Sequence, residues 1–182
     1  MEDGARDGRG GRGGGMMGPV SKRAGEGAGN GRRGTAGKRG TTMKISARNQ
    51  IKGTVKTVRE GAVNAVVVIC RGNHNPIKAD ITMESVKELG LEEGKEVYAV
   101  VKATNVMFAT AKVEGISARN QIEGKVVAVK EGAVNGHVTI EDADGVQISG
   151  SITNESIEAL GLKEGGTAVA IIKATDVMVA ID

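Results

Sequence analysis

The stretch ISARNQIKGTVKTVREGAVN, Ile45–Asn64, decides how this chain is read, because it returns as ISARNQIEGKVVAVKEGAVN at Ile116–Asn135. The same offset of 71 residues carries LGL from Leu89 to Leu160 and KAT from Lys102 to Lys173. The copies align without a gap from Ile45 to the C-terminus, with about half of the positions identical. Self-similarity at a fixed period marks a duplicated structural unit. The sequence therefore predicts a first domain over residues 43–112 and a second over 113–182, joined near Val113–Gly115.

Within each copy the pattern is that of short strands. Gly53–Val58 alternates apolar and polar residues, which predicts a half-buried strand, and Glu60 with Gly61 marks a turn. Ala62–Cys70 is β-branched and nearly continuous, which predicts a strand buried on both faces. Cys70, the single cysteine, reads as a small apolar filler, and its solitude excludes a disulfide framework. The cluster from Arg71 to Pro76 predicts a hairpin loop, matched by Asp142–Gly145 in the second copy. A third strand follows at Ile77–Ile81. Thr82 is the predicted N-cap of a short helix that runs through Leu89 and stops at Gly90. After a turn at Glu92–Lys95, Val97–Lys102 and Val106–Ala109 complete the copy. Five strands with one helical turn between the third and fourth predict an all-β chain of two tandem OB-like five-stranded β-barrels.

Residues 1–42 are different material. They hold 15 of the 29 glycines and nine Lys or Arg against four acids. Such composition buries too little apolar surface to offset the entropy of ordering, and it predicts disorder. The duplicated part has 16 Lys or Arg against 18 acids, so the net charge of +3 comes from the tail. One reading makes the tail a Gly/Arg-rich arm for nucleic acid, working with the OB-like barrels. The other makes it an unstructured extension, or upstream sequence ahead of a natural start at Met43. The tail has no aromatic residue, and the chain has only Tyr98 and Phe108, neither of them repeated, so base-stacking platforms are not expected. No apolar run approaches the roughly 20 residues of a membrane helix. No signal-peptide core precedes the repeats either, and a soluble cytoplasmic protein is expected.

Catalytic patterns are not found. His74 faces Gly145 in the second copy and His137 faces Val66 in the first, so both are expected to be surface or loop residues. Glu60 and Glu131 recur, but in turns where solvation suffices. There is no phosphate loop of the GxxxxGK type. What both copies share is a set of donors: Ser46, Arg48, Thr82, Ser85 and Lys102 recur as Ser117, Arg119, Thr153, Ser156 and Lys173. Two cations and three hydroxyls suit a tetrahedral dianion, and a helix start adds outward N–H groups. Taken singly, Thr82 would be only a cap, and Arg48 and Lys102 only solvated charges. Recurrence of the whole set favours a site.

MKISARNQIKGTVKTVREGAVN, ITMESVKELGL and VKATNVM resemble the Mop or molbindin family, the molybdate-binding domain also found within TOBE modules. The resemblance covers Met43–Asp182 and leaves out the tail. It implies a molybdate store in the cytoplasm rather than an enzyme, with tungstate also accepted, no organic cofactor and no metal directly ligated by protein. It also implies a homotrimer with oxyanions at subunit contacts. By position, the implied site takes Ser46, Ala47, Arg48, Asn49, Lys102 and Ala103, with Thr82 and Ser85 from a neighbouring domain. The second set is Ser117, Ala118, Arg119, Asn120, Lys173 and Ala174, with Thr153 and Ser156. Further oxyanion sites on the symmetry axis are implied near Gly61–Asn64 and Gly132–Asn135. Family members that regulate transcription or transport carry further domains; this chain outside the repeats has only the glycine-rich tail, so neither role is expected of it alone.

Overall fold

The computed structural model describes residues 44–182, apart from Asn73 and the side chain of His74. The disorder expected of residues 1–42 and the natural start at Met43 fall outside the described residues. The first copy contains β1 (Asn49–Glu60), β2 (Asn64–Arg71), β3 (His74–Thr82), α1 (Met83–Glu88), β4 (Glu96–Val101), a 3-10 turn (Ala103–Asn105) and β5 (Met107–Ala109). The second repeats this as β6 (Asn120–Lys130), β7 (Asn135–Glu141), β8 (Gln147–Thr153), α2 (Asn154–Ala159), β9 (Thr167–Ile172), a 3-10 turn (Ala174–Asp176) and β10 (Met178–Ala180).

Local chemistry explains most boundaries. The Thr82 hydroxyl accepts the Ser85 N–H at 3.1 Å and caps α1, while Gly90 adopts φ +53° just beyond its end. Asp142 shapes the second hairpin by accepting the N–H groups of Asp144 and Val146 at 3.0 and 2.9 Å. The first hairpin is tighter than the sequence suggests. Arg71 pairs with His74, so four of the six residues expected in a loop belong to strands. Pro76 is tolerated because β3 is an edge strand, where a missing ladder N–H costs little. β2 is not buried on both faces. Its residues alternate, with Ala65, Val67 and Ile69 in the core and Val66, Val68 and Cys70 half-buried on the outer side.

The strands are where the sequence puts them, but two of them pair elsewhere. The sheets run β10-β4-β1-β2-β3 and β5-β9-β6-β7-β8, with every pairing antiparallel. Each copy thus gives its last strand to the other. Met178, Val179 and Ala180 pair with Val100, Ala99 and Tyr98, while Met107, Phe108 and Ala109 pair with Ile171, Ala170 and Val169. The hand-over follows from the 3-10 turns, which pack against β8 and β3 of the opposite copy and carry the chain across. β10 also touches β3, so the first sheet rolls toward closure. The result is two five-stranded sheets around one apolar cluster that draws on both copies.

Two side-chain devices fasten the copies together. The Asn49 amide donates to Val101 O at 3.1 Å and Ser149 O at 2.9 Å, and its oxygen accepts Ser149 N–H at 2.7 Å. Asn120 does the same to Lys78, accepting its N–H at 2.7 Å and donating to its carbonyl at 2.9 Å. Both asparagines are buried, so these bonds satisfy groups that water cannot reach. Arg71 forms a buried ion pair with Asp142. Burial alone would raise the Asp142 carboxyl, but Arg71 and the Val146 and Asp144 amides outweigh it and hold it below its ordinary value.

Packing is tuned across the exchanged strands. A Cβ on Gly150 of β8 would stand 2.4 Å from Cε2 of Phe108, the large residue that β5 brings over. The equivalent positions in the other half are Ala79 and Val179, so a small residue against a large one is balanced there by two of middling size. Gly150→Ala is expected to cost about 2 kcal/mol through overpacking. Adding Phe108→Val should recover part of that loss, read as a coupling energy in a double-mutant cycle of urea unfolding. Because the folded Asp142 titrates below its unfolded value, its stabilisation is complete above about pH 4 and fades as pH falls through the folded value. Asp142→Asn is therefore expected to flatten the acid-side decline of the urea midpoint, whatever its effect at neutral pH.

Candidate functional site

The segment before β1 is pinned by one small residue. Ala47 is buried on the outer face of β4 against Tyr98, Val100 and the exchanged Ala180, which turns its neighbours Ser46 and Arg48 outward into exposed positions. Ala118 is buried in the same way against Val169, Ile171 and Ala109, with Ser117 and Arg119 exposed. The Gln50 amide ties back to Ala47 O at 3.1 Å, and Gln121 holds both backbone groups of Val113.

Strand register supplies the next residues. Asn49 pairs with Val101 at the end of the β1–β4 ladder, so Arg48 and Lys102 leave the sheet side by side. Lys102 starts the 3-10 turn at Ala103–Asn105 without a side-chain cap bond. The turn's own hydrogen bonds begin at the Asn105 N–H, leaving the Ala103 and Thr104 amides outside them. Asn120 and Ile172 set Arg119 beside Lys173 and Ala174 by the same register. Among the described residues no carboxylate pairs with Arg48, Lys102, Arg119 or Lys173. Exposed cations, hydroxyls and amides with no carboxylate among them form a donor set for an anion.

Two parts of the expected set are placed differently. The side chains of Asn49 and Asn120 are buried in the contact between copies, and the three hydrogen bonds of Asn49 leave its amide no donor for a ligand. Thr82 and Ser85 lie beyond the far end of β1, since Thr82 pairs with Asn64, the first residue of β2 after the turn that follows this strand. Their hydroxyls bond one another at 2.9 Å, and those of Thr153 and Ser156 do so at 2.8 Å. The opposite copy brings them nearer but not into contact. Asn120 meets β3 at Lys78, four residues before Thr82, or about 13 Å along a strand.

The structure also adds residues that the sequence reading left out. Arg119 and Ala174 border a groove over the outer face of the first sheet, with Arg59, Lys78 and Asp80. Arg48 borders the corresponding groove over the second, with Lys130, His137 and Thr139. The signal was present for one pair: Arg59 and Lys130 are cations at the same position of the two copies. His137 is not a loop residue but half-buried in β7, with Nδ1 making no hydrogen bond among the described residues. Cys70 is likewise half-buried rather than core filler. Tyr98 and Phe108 are both buried, so the described surface offers no aromatic ring for stacking. No cluster of three or more His, Cys, Asp or Glu suited to a metal ion occurs among the described residues, and no helix there is long and apolar enough to cross a membrane.

Comparison with known proteins fits this geometry. The TOBE domain family matches residues 45–108 and again residues 116–179. The chain belongs to the TOBE domain family and carries the domain twice in tandem. It is 41% identical over 140 residues to the molybdenum transport protein ModE of Azotobacter vinelandii, covering 77% of this chain and 52% of that protein. It is 40% identical over 141 residues to the molybdenum-pterin-binding protein MopA of Rhodobacter capsulatus, covering 77% and 53%. The chain thus spans about half the length of these relatives. A probable molybdenum-pterin-binding protein of Haemophilus influenzae is 54% identical over 65 residues, 94% of its own length, and so matches a single copy. Among solved structures, that of the cytoplasmic molybdate-binding protein ModG with molybdate bound superimposes with a TM-score of 0.74. The identity is 45%, with 77% of this chain and 100% of that one covered.

The asparagine clamp can be separated from the donor set by measurement. Asn120→Ala removes both bonds to Lys78 and leaves its strand groups without partners. It is expected to cost about 2 kcal/mol of stability in urea unfolding. The same change at exposed Arg119 should leave the unfolding midpoint close to that of the unaltered protein.

Proposed function

We propose that this chain binds molybdate reversibly as an intact oxyanion and serves as a cytoplasmic store or buffer of molybdenum, with no reaction catalysed. The observation that carries the reading is the duplicated donor set Ser46, Arg48, Lys102 and Ser117, Arg119, Lys173, exposed and without a carboxylate partner among the described residues. Buried Ala47 and Ala118 hold it in place. The molybdenum-related names of its relatives and the bound molybdate of ModG support the same ligand.

The chemistry of the donors sets the selectivity. A shell rich in cations and N–H groups favours a fully deprotonated dianion over hydrogen phosphate, whose proton would have only a serine or threonine hydroxyl to accept it. Tungstate, of the same charge and nearly the same size, is taken as well. Ala47, Ala103, Ala118 and Ala174 contribute close backbone approach, and the amides at the start of the 3-10 turns add donors.

The hydroxyls of Thr82, Ser85, Thr153 and Ser156 belong to the site only if another chain supplies them, because one chain keeps them apart from its own Arg48 and Arg119. A homotrimer meets that need. Val63 and Val134, 73% and 70% exposed in the Gly61–Asn64 and Gly132–Asn135 turns, are the apolar surface such an assembly would cover around its axis. The working unit is the pair of copies, residues 43–112 with 113–182, since neither completes a sheet alone. Calorimetric titration of the full chain with molybdate tests the assignment. Arg48→Ala with Arg119→Ala is expected to abolish the binding heat while oligomer mass and unfolding midpoint stay unchanged. Undiminished affinity in that double variant would overturn it.

A further inference from the structure

Arg71 and Asp142 stand 71 positions apart, which is the repeat offset, so they are the same position in the two copies. The structure brings these equivalent residues into contact, with their side chains 3% and 0% exposed. The other contacts between copies come in reciprocal pairs. Asn49 grips Ser149 as Asn120 grips Lys78, and β10 completes the sheet of β4 as β5 completes that of β9. That is the signature of a two-fold contact, in which position i meets j and j meets i, and a position on the axis meets itself. Position 71/142 lies on this axis.

Two identical copies would set arginine against arginine there, or aspartate against aspartate. Either arrangement buries two like charges with no counter-ion, and removing the partner from a buried charge is already strongly destabilising. Duplication within one chain lifts the constraint, because the copies can differ at the one position that symmetry would otherwise force to match itself. A Cβ on Gly72 would stand 2.9 Å from Asp144 Oδ1 of the facing hairpin, so the two turns meet closely. Asp142 is also fixed in orientation by the Asp144 and Val146 amides, which hold Oδ1 and leave Oδ2 to Arg71. A well-packed apolar pair would serve stability as well or better. What opposite charges add is discrimination between partners.

We infer that Arg71 and Asp142 form a pairing code, by which the axis face of the first copy accepts the second copy of this chain and rejects another first copy. Homotypic pairing would join chains through their first copies and leave their second copies to find further chains, an open-ended assembly. The code confines pairing to the closed arrangement. It goes beyond ligand binding and does not depend on which oxyanion is bound.

The test uses the full chain in charge reversals, unfolded in denaturant and refolded. Arg71→Asp places two aspartates at the axis and Asp142→Arg places two arginines. Each variant refolded alone is expected to lose about a hundredfold or more in its folding equilibrium constant. The double variant R71D/D142R restores opposite charges and should regain most of that loss, which keeps the result readable if a single variant does not fold. The two single variants refolded together are the decisive arm. Copy one of each then finds an opposite charge on copy two of the other, and the mixture should recover folded protein that neither yields alone. A double variant as weak as the singles, single variants as stable as the unaltered chain, or a mixture no better than its components would each overturn the inference.

Discussion

Each sheet of this protein lacks an edge until the other copy supplies it, and the rest of the structure follows from that dependence. An unfinished edge presents a row of unpaired backbone groups, a template for any passing strand. Here β10 covers β4 and β5 covers β9, so the edge is closed by a segment tethered in the same chain. The exchange also explains why the apolar residues of the two copies form one cluster. Neither set of five strands encloses a core by itself, because the strand that completes each sheet belongs to the other copy. Asn49, Asn120 and the Arg71–Asp142 pair then fasten polar groups that the fused core would otherwise strand away from water.

The donor segments inherit their geometry from the same exchange. Ala47 is buried partly against Ala180, and Ala118 partly against Ala109, both residues of exchanged strands. The outward aim of Arg48 therefore depends on a strand delivered by the second copy, and that of Arg119 on one delivered by the first. Rigid strands carry Lys102 and Lys173 to the same sheet ends. A cation held by backbone register loses less freedom on binding an anion than one on a mobile loop.

Much of this was legible in the sequence, and the limits were physical. Periodicity and turn residues located the strands and both helices, because those signals act over a few residues. Thr82, Gly90 and Asp142 announced their roles through local hydrogen bonding and backbone conformation. Strand partners were not legible. Met178–Ala180 has the same residue types whether it pairs with β9 beside it or with β4 far back in the chain, and only the packing of the 3-10 turns decides. The donor set was found through recurrence, but recurrence does not separate ligands from fasteners. Asn49 recurs as faithfully as Arg48, yet its side chain is consumed between the copies. Lys78, Asp80 and His137 were missed because they differ between copies, and only folding places them beneath Arg119 and Arg48.

The position of β10 downstream of every other strand of the second copy has a consequence for synthesis. The first copy is made first but finished last, since β4 waits for Met178–Ala180 to emerge. Throughout translation of the second copy, the ribosome holds a nascent chain whose leading domain carries one open sheet edge. Pairing between residues so far apart in sequence is slow to form, because loop closure must precede the contacts that reward it. The hazardous interval for misassembly on a polysome is therefore the making of the second copy, and it closes only once Met178–Ala180 has emerged and paired with β4.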